Sequence, residues 1–352
     1  MLAELPVAEW HWTTRKVGAS MSASTLNPLI AGVVRTPRKP PKRLTAPVMV
    51  ARKSGGEGEP LVMVTAYDAP SAKIAHRAGV DMILVGDSLA MVVLGYEDTL
   101  QVTVDDMVHH TKAVARGLVA SEAEGCEHPR PLVVGDLPWM SYHVSAEQAV
   151  CNAAALLRAG AGCVKLEGGA KRIPMIKAII DAEIPVMGHI GLTPQSVNAL
   201  GGFKVQGKDT AAAKALVAEA KALEAAGCFG IVLEAIPDAL GRAVTEAVSI
   251  PTIGIGAGPS CDGQVLVWHD ILGLEDRLTP KFVRRYAELG QLAEAAIAEY
   301  AADVRSHAFP TVAESYGASE ELQAALADRP GLRSVPSMAD FSIEDDLIAL
   351  YA

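Results

Sequence analysis

Short, nearly continuous apolar segments alternate with amphipathic segments of helical period from about residue 58 onward. The first apolar segment is LVMVTAY (61–67), and the eighth lies in VLVWHDILGL (265–274). Each has the Val, Ile and Leu content of a strand that is buried on both faces of a parallel sheet. Strand and helix patterns alternate eight times, which predicts βαβ units and an α/β fold.

Four of the predicted strands end in a carboxylate, at MILVGD (Asp87), PLVVGD (Asp136), CVKLE (Glu167) and GIVLE (Glu234). Any one of these residues alone could be a helix cap or a loop residue. In an open, doubly wound sheet the functional strand ends concentrate at the switch point. Carboxylates on the second, third, fourth and sixth strands instead favour a (β/α)8 TIM barrel, whose strand ends meet at one mouth.

A cluster of carboxylates at that mouth predicts a bound cation, because bare negative charges repel one another. Ligation by oxygen alone favours magnesium over zinc. Lys165 and Glu167 point the same way from their strand. They form either a buried ion pair or a site in which the lysine binds an anionic substrate and the glutamate faces the metal. Glu234 is a candidate general base or a structural carboxylate, and His189 is a candidate substrate contact or a rim residue.

Charge is distributed unevenly along the 352 residues, whose formal net charge is -10. Residues 1–56 carry nine Lys or Arg and two Glu, a net +7, so the remainder carries -17. No acidic residue lies between Glu9 and Glu57, which is typical of a mitochondrial transit peptide. We therefore expect a mitochondrial protein, with a cytoplasmic protein that has a basic tail as the alternative. The acidic remainder argues against nucleic-acid binding, and no apolar run is long enough to cross a bilayer.

These patterns divide the chain into a basic leader (1–56), a (β/α)8 catalytic domain (57–317) and a C-terminal tail (318–352). A helical pattern over 282–308 is expected to pack outside the barrel. The five cysteines contain no CxxC pair. Their spacing indicates reduced thiols rather than a disulfide framework or a zinc site.

Long segments of the chain resemble the 3-methyl-2-oxobutanoate hydroxymethyltransferase (ketopantoate hydroxymethyltransferase) family. The resemblance runs from about residue 60 to 317 and includes DLPWMSY, VKLEGG, GHIGLTPQSVNALGGFKVQG, VLEAIP and IPTIGIGAGPSCDGQVLVWHD. It implies a barrel of the phosphoenolpyruvate/isocitrate lyase-like type. The family pattern often has Gly where this chain has Ala90, a small change that should alter only loop freedom.

The same motifs imply roles for individual side chains. Three carboxylates are expected to hold Mg2+: Asp87, Asp136 and Glu167. Four residues are expected to contact the substrate: Asp87, Ser88, Asp136 and Lys165. In VLEAIP, Glu234 matches the family's proton acceptor.

The implied reaction transfers a hydroxymethyl group from 5,10-methylenetetrahydrofolate to 3-methyl-2-oxobutanoate through a magnesium-stabilised enolate. The product is 2-dehydropantoate, on the route to pantothenate. We expect small-molecule substrates and a homo-oligomer, without nucleic-acid or membrane partners. Two alternatives stay open: a lyase of the same superfamily and a non-catalytic metabolite-binding barrel. A lyase would typically have a catalytic Cys or an acidic loop after the fifth strand, where this chain has LTPQSV.

Overall fold

The barrel predicted from the strand pattern is present. The computed structural model describes residues 43–54, 58–277 and 280–327. Its centre is a closed barrel of parallel strands in chain order, in which the last strand pairs with the first. The strands are β1 (Leu61–Thr65), β2 (Met82–Val85), β3 (Leu132–Asp136), β4 (Cys163–Lys165), β5 (Val186–Gly191), β6 (Gly230–Glu234), β7 (Thr252–Ile255) and β8 (Gly263–Leu266).

Helices cover most of the outside of the barrel. They are α1 (Ala46–Ser54), α2 (Ala69–Arg77), α3 (Leu89–Val92), α4 (Val104–Ala123), α5 (Ala146–Ala159), α6 (Ile173–Asp181), α7 (Val197–Leu200), α8 (Thr210–Ala225), α9 (Asp238–Ala247), α10 (Trp268–Ile271), α11 (Leu289–Arg305) and α12 (Glu320–Ala327). Each of the connections that follow β1, β2, β3, β4, β5 and β6 contains at least one helix, whereas residues 256–262 join β7 to β8 without one.

Side-chain caps mark where α2 and α4 begin. At the start of α2, Asp68 Oδ1 accepts a hydrogen bond from the backbone N–H of Ser71 at 2.7 Å. At the start of α4, Thr103 Oγ1 accepts from the N–H of Asp106, whose carboxylate accepts the Thr103 N–H in return. Such reciprocal caps satisfy N–H groups that a helix leaves unpaired. They also fix the loops that leave the mouth ends of the strands.

Two apolar clusters form the core. One lies inside the barrel and takes alternate residues from the strands, among them Met63, Met82, Leu132 and Val265. The other lies between the strands and the helices and takes the intervening strand residues, such as Ile83 and Val133. This alternation follows from the two-residue period of a strand, and it leaves room for polar side chains only where the strands end.

Helix α1 closes the N-terminal end of the barrel. Its Ala46 and Met49 are buried in the interior cluster. Arg52 pairs with Asp81 at 2.6 Å, and Lys53 pairs with Asp262 at 2.9 Å. The barrel domain therefore includes residues that the charge pattern assigned to a leader ending at 56. The reason is that the two basic residues of α1 continue the basic composition of the preceding segment. The part of the proposed leader at 1–42 lies outside the described residues.

The C-terminal region carries an exposed apolar face. Of the helical pattern predicted over 282–308, only Leu289–Arg305 forms a helix, α11, and none of its side chains is buried by the described residues. Leu292 is 65% exposed, Ile297 67% and Tyr300 53%. Within the described part of the chain, no helix is both long and apolar enough to cross a membrane.

Candidate active site

The carboxyl ends of the strands bring every side chain singled out by the sequence to one cavity of about 1100 Å³. Each of these side chains lies at or near the carboxyl end of a strand, which is where active sites of such barrels form. Five of these side chains are 1% to 4% exposed: Asp87, Asp136, Lys165, Glu167 and His189. Two lining residues are more accessible: Ser88, which is half-buried, and Glu234, whose side chain is 16% exposed.

Lys165 is the cation of the cluster, and its partner is Asp136. Its Nζ lies 2.8 Å from Asp136 Oδ1 and 3.4 Å from His189 Nδ1. Burial alone lowers the pKa of Lys165, but the carboxylates of Asp136, Glu167 and Asp87 more than offset this and raise it overall. The ammonium therefore stays charged. Lys165 therefore forms a buried ion pair across the sheet with Asp136 of β3, and not with Glu167, the partner that the sequence-based alternative gave it.

The carboxylates destabilise one another's charge. Burial raises the pKa of Asp136 to about 7; the Lys165 ammonium opposes this rise and the Asp87 carboxylate adds to it. Burial, followed by repulsion from Asp87, raises the pKa of Glu167 well above its usual range. One ammonium thus faces three buried carboxylates, and the cluster is short of positive charge.

This donor set fits a hard divalent cation in its chemistry. Asp87, Asp136 and Glu167 offer only oxygen, and their excess negative charge matches a doubly charged ion. In the positions shown, no three acidic, His or Cys side chains of the described residues lie close enough to share an ion. Lys165 pairs with one oxygen of Asp136, and Gln195 holds one oxygen of Asp87 and one of Glu167. An ion would bind through the oxygens that Gln195 leaves free, with the three side chains drawn closer together around it.

His189 joins the cluster to Glu234. Because the ammonium of Lys165 can only donate, His189 Nδ1 is the acceptor of their contact, which leaves the ring proton on Nε2. That nitrogen lies 3.2 Å from Glu234 Oε2. Burial and the neighbouring Lys165 lower the pKa of His189, so the ring is neutral. The neutral imidazole lies beside the Glu234 carboxylate without pairing its charge, and Nε2 has no hydrogen-bond partner among the described residues. The sequence left His189 open between a substrate contact and a rim residue, and this contact was not foreseen.

Gln195 and Tyr142 complete the site, although no sequence pattern pointed to them. The N–H of Gln195 donates to Glu167 Oε2 at 2.9 Å, and its Nε2 donates to Asp87 Oδ2 at 2.8 Å. Tyr142 Oη donates to Gln195 Oε1 at 2.6 Å and accepts from the N–H of Glu167 at 3.1 Å. The one available signal was the position of TPQS directly after a strand that ends at the mouth.

Comparison with known proteins identifies the family. The family model for ketopantoate hydroxymethyltransferase matches residues 44–312. This chain belongs to that family. The 3-methyl-2-oxobutanoate hydroxymethyltransferase of Oleidesulfovibrio alaskensis is 56% identical over 75% of this chain and 88% of the relative. The protein of the same name from Moorella thermoacetica is 53% identical over 78% of this chain and 98% of the relative.

Among solved structures, the resemblance is one of fold. Phosphonopyruvate hydrolase in complex with oxalate and Mg++ has a TM-score of 0.49 and 13% identity, and covers 81% of this chain and 95% of that one. Phosphoenolpyruvate phosphomutase from Streptomyces platensis subsp. rosaceus also has a TM-score of 0.49, at 15% identity, with 80% and 95% covered.

Membership of the ketopantoate hydroxymethyltransferase family confirms the predicted hydroxymethyltransferase over a lyase or a non-catalytic barrel. The predicted mitochondrial location is wrong. The family members that match this chain include proteins of Oleidesulfovibrio, Moorella, Clostridium and Geobacillus, which are bacteria and have no mitochondria. A basic segment without acidic residues resembles a transit peptide in composition. Composition alone does not distinguish a transit peptide from a basic segment that carries no targeting signal.

Proposed function

We propose that this enzyme transfers a hydroxymethyl group from 5,10-methylenetetrahydrofolate to 3-methyl-2-oxobutanoate, giving 2-dehydropantoate for pantothenate synthesis. The observation that carries the proposal is the buried Lys165 ammonium beside three carboxylates at the mouth of the barrel. This arrangement suits a small 2-oxo acid anion bound with a divalent cation. The names of the relatives support the same substrate.

The 2-oxo acid is bound by Lys165, whose ammonium attracts its carboxylate, with the Ser88 hydroxyl beside it. Ser88 Oγ lies 2.9 Å from Tyr67 Oη, which fixes its direction. Mg2+ would be held by Asp87, Asp136 and Glu167, and when bound it would polarise the keto group as a Lewis acid. Asp87 and Asp136 would then contact both the ion and the substrate.

Glu234 is the proposed base. Its carboxylate lines the cavity, and one of its oxygens lies 3.2 Å from His189 Nε2. Glu234 takes the proton from C3 of the 2-oxo acid, which leaves an enolate. Carbon C3 then forms a bond to the methylene carbon of the folate, and both bonds from that carbon to the folate nitrogens break. Water supplies the hydroxyl oxygen of the new hydroxymethyl group, and one proton from water and the proton taken from C3 end on the two nitrogens. A neutral imidazole at this distance can donate its Nε2 proton to Glu234 when substrate is bound, and so orient the base.

A direct assay tests the function. Purified protein with 5,10-methylenetetrahydrofolate, 3-methyl-2-oxobutanoate and Mg2+ should form 2-dehydropantoate. Without folate, it should exchange the C3 proton of the 2-oxo acid into deuterated water. A lyase would cleave a carbon–carbon bond in its own substrate without needing folate, and a binding barrel would show neither exchange nor product.

The outer part of the cavity is the proposed folate site. A 2-oxo acid of five carbons leaves most of the cavity volume unfilled. The outer lining combines apolar Met91, Phe203 and Phe282 with the basic Lys204 and Lys281. Aromatic side chains suit a flat pterin ring, and lysines suit the carboxylates of a glutamate tail. The lining therefore matches both ends of a folate.

Phe203→Ala should raise the KM for methylenetetrahydrofolate by roughly 10-fold, because a stacked aromatic contact is lost. Steady-state kinetics with each substrate varied in turn would measure it, and the KM for the 2-oxo acid should change much less. Phe309→Ala is the matched control, since Phe309 is also partly exposed but does not line the cavity. An unchanged folate KM in Phe203→Ala would place the folate elsewhere.

We also propose that the enzyme self-associates through α11. Three apolar side chains of that helix are more than half exposed, which a water-facing helix would not favour. Ile297→Glu should therefore lower the molar mass in light scattering after size exclusion, because a charge on this face opposes burial. Gln291→Glu, on the same helix, is the control. If wild type and Ile297→Glu have the same mass, α11 is not the contact.

A further inference from the structure

Gln195 is a buried amide that touches two of the three proposed metal ligands. It lies in the turn Pro194–Ser196 after β5 and is 4% exposed. Its backbone N–H reaches Glu167, and its side-chain amide reaches Asp87, at the distances given above. Neither carboxylate belongs to the β5 crossover. One residue therefore joins the loops that follow β2 and β4.

The orientation of the amide is settled by its partners. Both protons of Nε2 have acceptors, Asp87 Oδ2 at 2.8 Å and the carbonyl oxygen of Leu137 at 3.0 Å. Turning the amide over would place its oxygen against these two oxygens. On the other side, Oε1 accepts the hydroxyl proton of Tyr142, which is fully buried. Tyr142 thus fixes Gln195, and Gln195 fixes the carboxylates.

We propose that Gln195 is a positioning residue for the cation site, which holds Asp87 and Glu167 by one oxygen each and leaves the other oxygen for the ion. The oxygens left are Asp87 Oδ1, which accepts no hydrogen bond from the described residues, and Glu167 Oε1, which lies 3.6 Å from His189 Nδ1. The inference rests on the proposed function, because it assumes that the carboxylates bind Mg2+.

The expected contribution of Gln195 to Mg2+ affinity comes from limiting the movement of the carboxylates before the ion binds. Two like charges brought together in a buried site repel each other, and without N–H donors each would turn away from the other. Gln195 supplies a donor to each carboxylate and limits their rotation before the ion arrives. Hydrogen-bond partners of metal ligands typically change metal affinity by about 10- to 100-fold when they are removed.

Calorimetric titration with Mg2+ alone, in the absence of substrates, tests the role directly. Gln195→Met keeps the length of the side chain but removes its donor to Asp87 and its acceptor for Tyr142, while the backbone N–H to Glu167 remains. Because Asp87 loses its donor and the turn loses its link to Tyr142, the Kd for Mg2+ should rise at least about 10-fold. Tyr142→Phe removes only the hydroxyl, and it should raise the Kd by a smaller factor, about 3-fold. Gln323→Met, the same change at an exposed glutamine of α12, should leave the Kd unchanged.

Circular dichroism checks that each variant is folded, and the Mg2+ concentration for half-maximal activity should rise by the same factor as the Kd. Folded Gln195→Met with wild-type affinity would overturn the inference while leaving the Mg2+ site intact. If Gln195→Met does not fold, Tyr142→Phe decides, and an unchanged Kd there overturns it. Wild-type protein that binds no Mg2+ would instead reject the proposed cation, and the inference with it.

Discussion

Glu234→Gln is expected to slow exchange of the C3 proton of 3-methyl-2-oxobutanoate by roughly 100-fold or more, the usual scale of general base catalysis. The amide keeps the size of the side chain and its place beside His189, but it cannot accept the proton. Nuclear magnetic resonance in deuterated water, without folate, follows this step separately from the transfer. Calorimetry with the 2-oxo acid and Mg2+ should show that binding survives, since Glu234 is not a proposed ligand.

The matched control is Glu147→Gln, the same change at an exposed position in the first turn of α5. It should exchange at the wild-type rate. Exchange at that rate in Glu234→Gln as well would show that the base lies elsewhere, and His189 would then be the next residue to test. A loss of 2-oxo acid binding would instead indicate that Glu234 contributes to binding of the substrate before the reaction.

Lys165→Met is expected to have the second large effect, a rise in the KM for the 2-oxo acid of roughly 10- to 100-fold. This is the range for losing a hydrogen bond to a charged group. The substitution also leaves Asp136 buried without its partner. The free energy of unfolding of the Lys165→Met protein should therefore fall by about 3 kcal/mol, near the lower limit for breaking a buried ion pair. The cost stays near this limit because a carboxyl whose pKa is already about 7 can take up a proton.

Steady-state kinetics and denaturant unfolding measure the two parts of this prediction. Lys73→Met is the control, since Lys73 pairs with Glu124 at the surface and such pairs contribute little to stability. A normal KM for the 2-oxo acid in Lys165→Met would contradict the anchoring role. A lower stability with that normal KM would mean that the lysine serves only to neutralise Asp136.

The alternation of strands and helices, and the carboxylates at strand ends, were sufficient to predict the barrel and its mouth. They were sufficient because the period of a strand and the direction of parallel strands decide where Asp87, Asp136 and Glu234 lie. The partner of Lys165 could not be obtained in this way. The alternation of side chains along the chain from β4 points to Glu167, but the register of the neighbouring strand places Asp136 directly opposite Lys165. Register between strands is a property of the folded sheet.

Gln195 and Tyr142 were missed for a different reason. Both lie in loops, where side-chain direction follows no period, and neither type of side chain signals chemistry by itself. The end of the leader was misplaced because Arg52 and Lys53 read as a continuation of a basic tail, although each finds an acidic partner at the base of the barrel. Composition records charge, but it does not record what each charge meets.

The closure of the N-terminal end of the barrel by α1 has a practical consequence for handling the protein. Trimming the chain at residue 57, where the strand pattern begins, would remove Met49 and uncover the apolar interior, including Met63 and Met82. Shortened versions should therefore start before Leu44. A purification tag fused directly to residue 57 would replace α1 at the N-terminal end of the barrel. Poor solubility of such a product would then reflect the exposed apolar interior and not its catalytic residues.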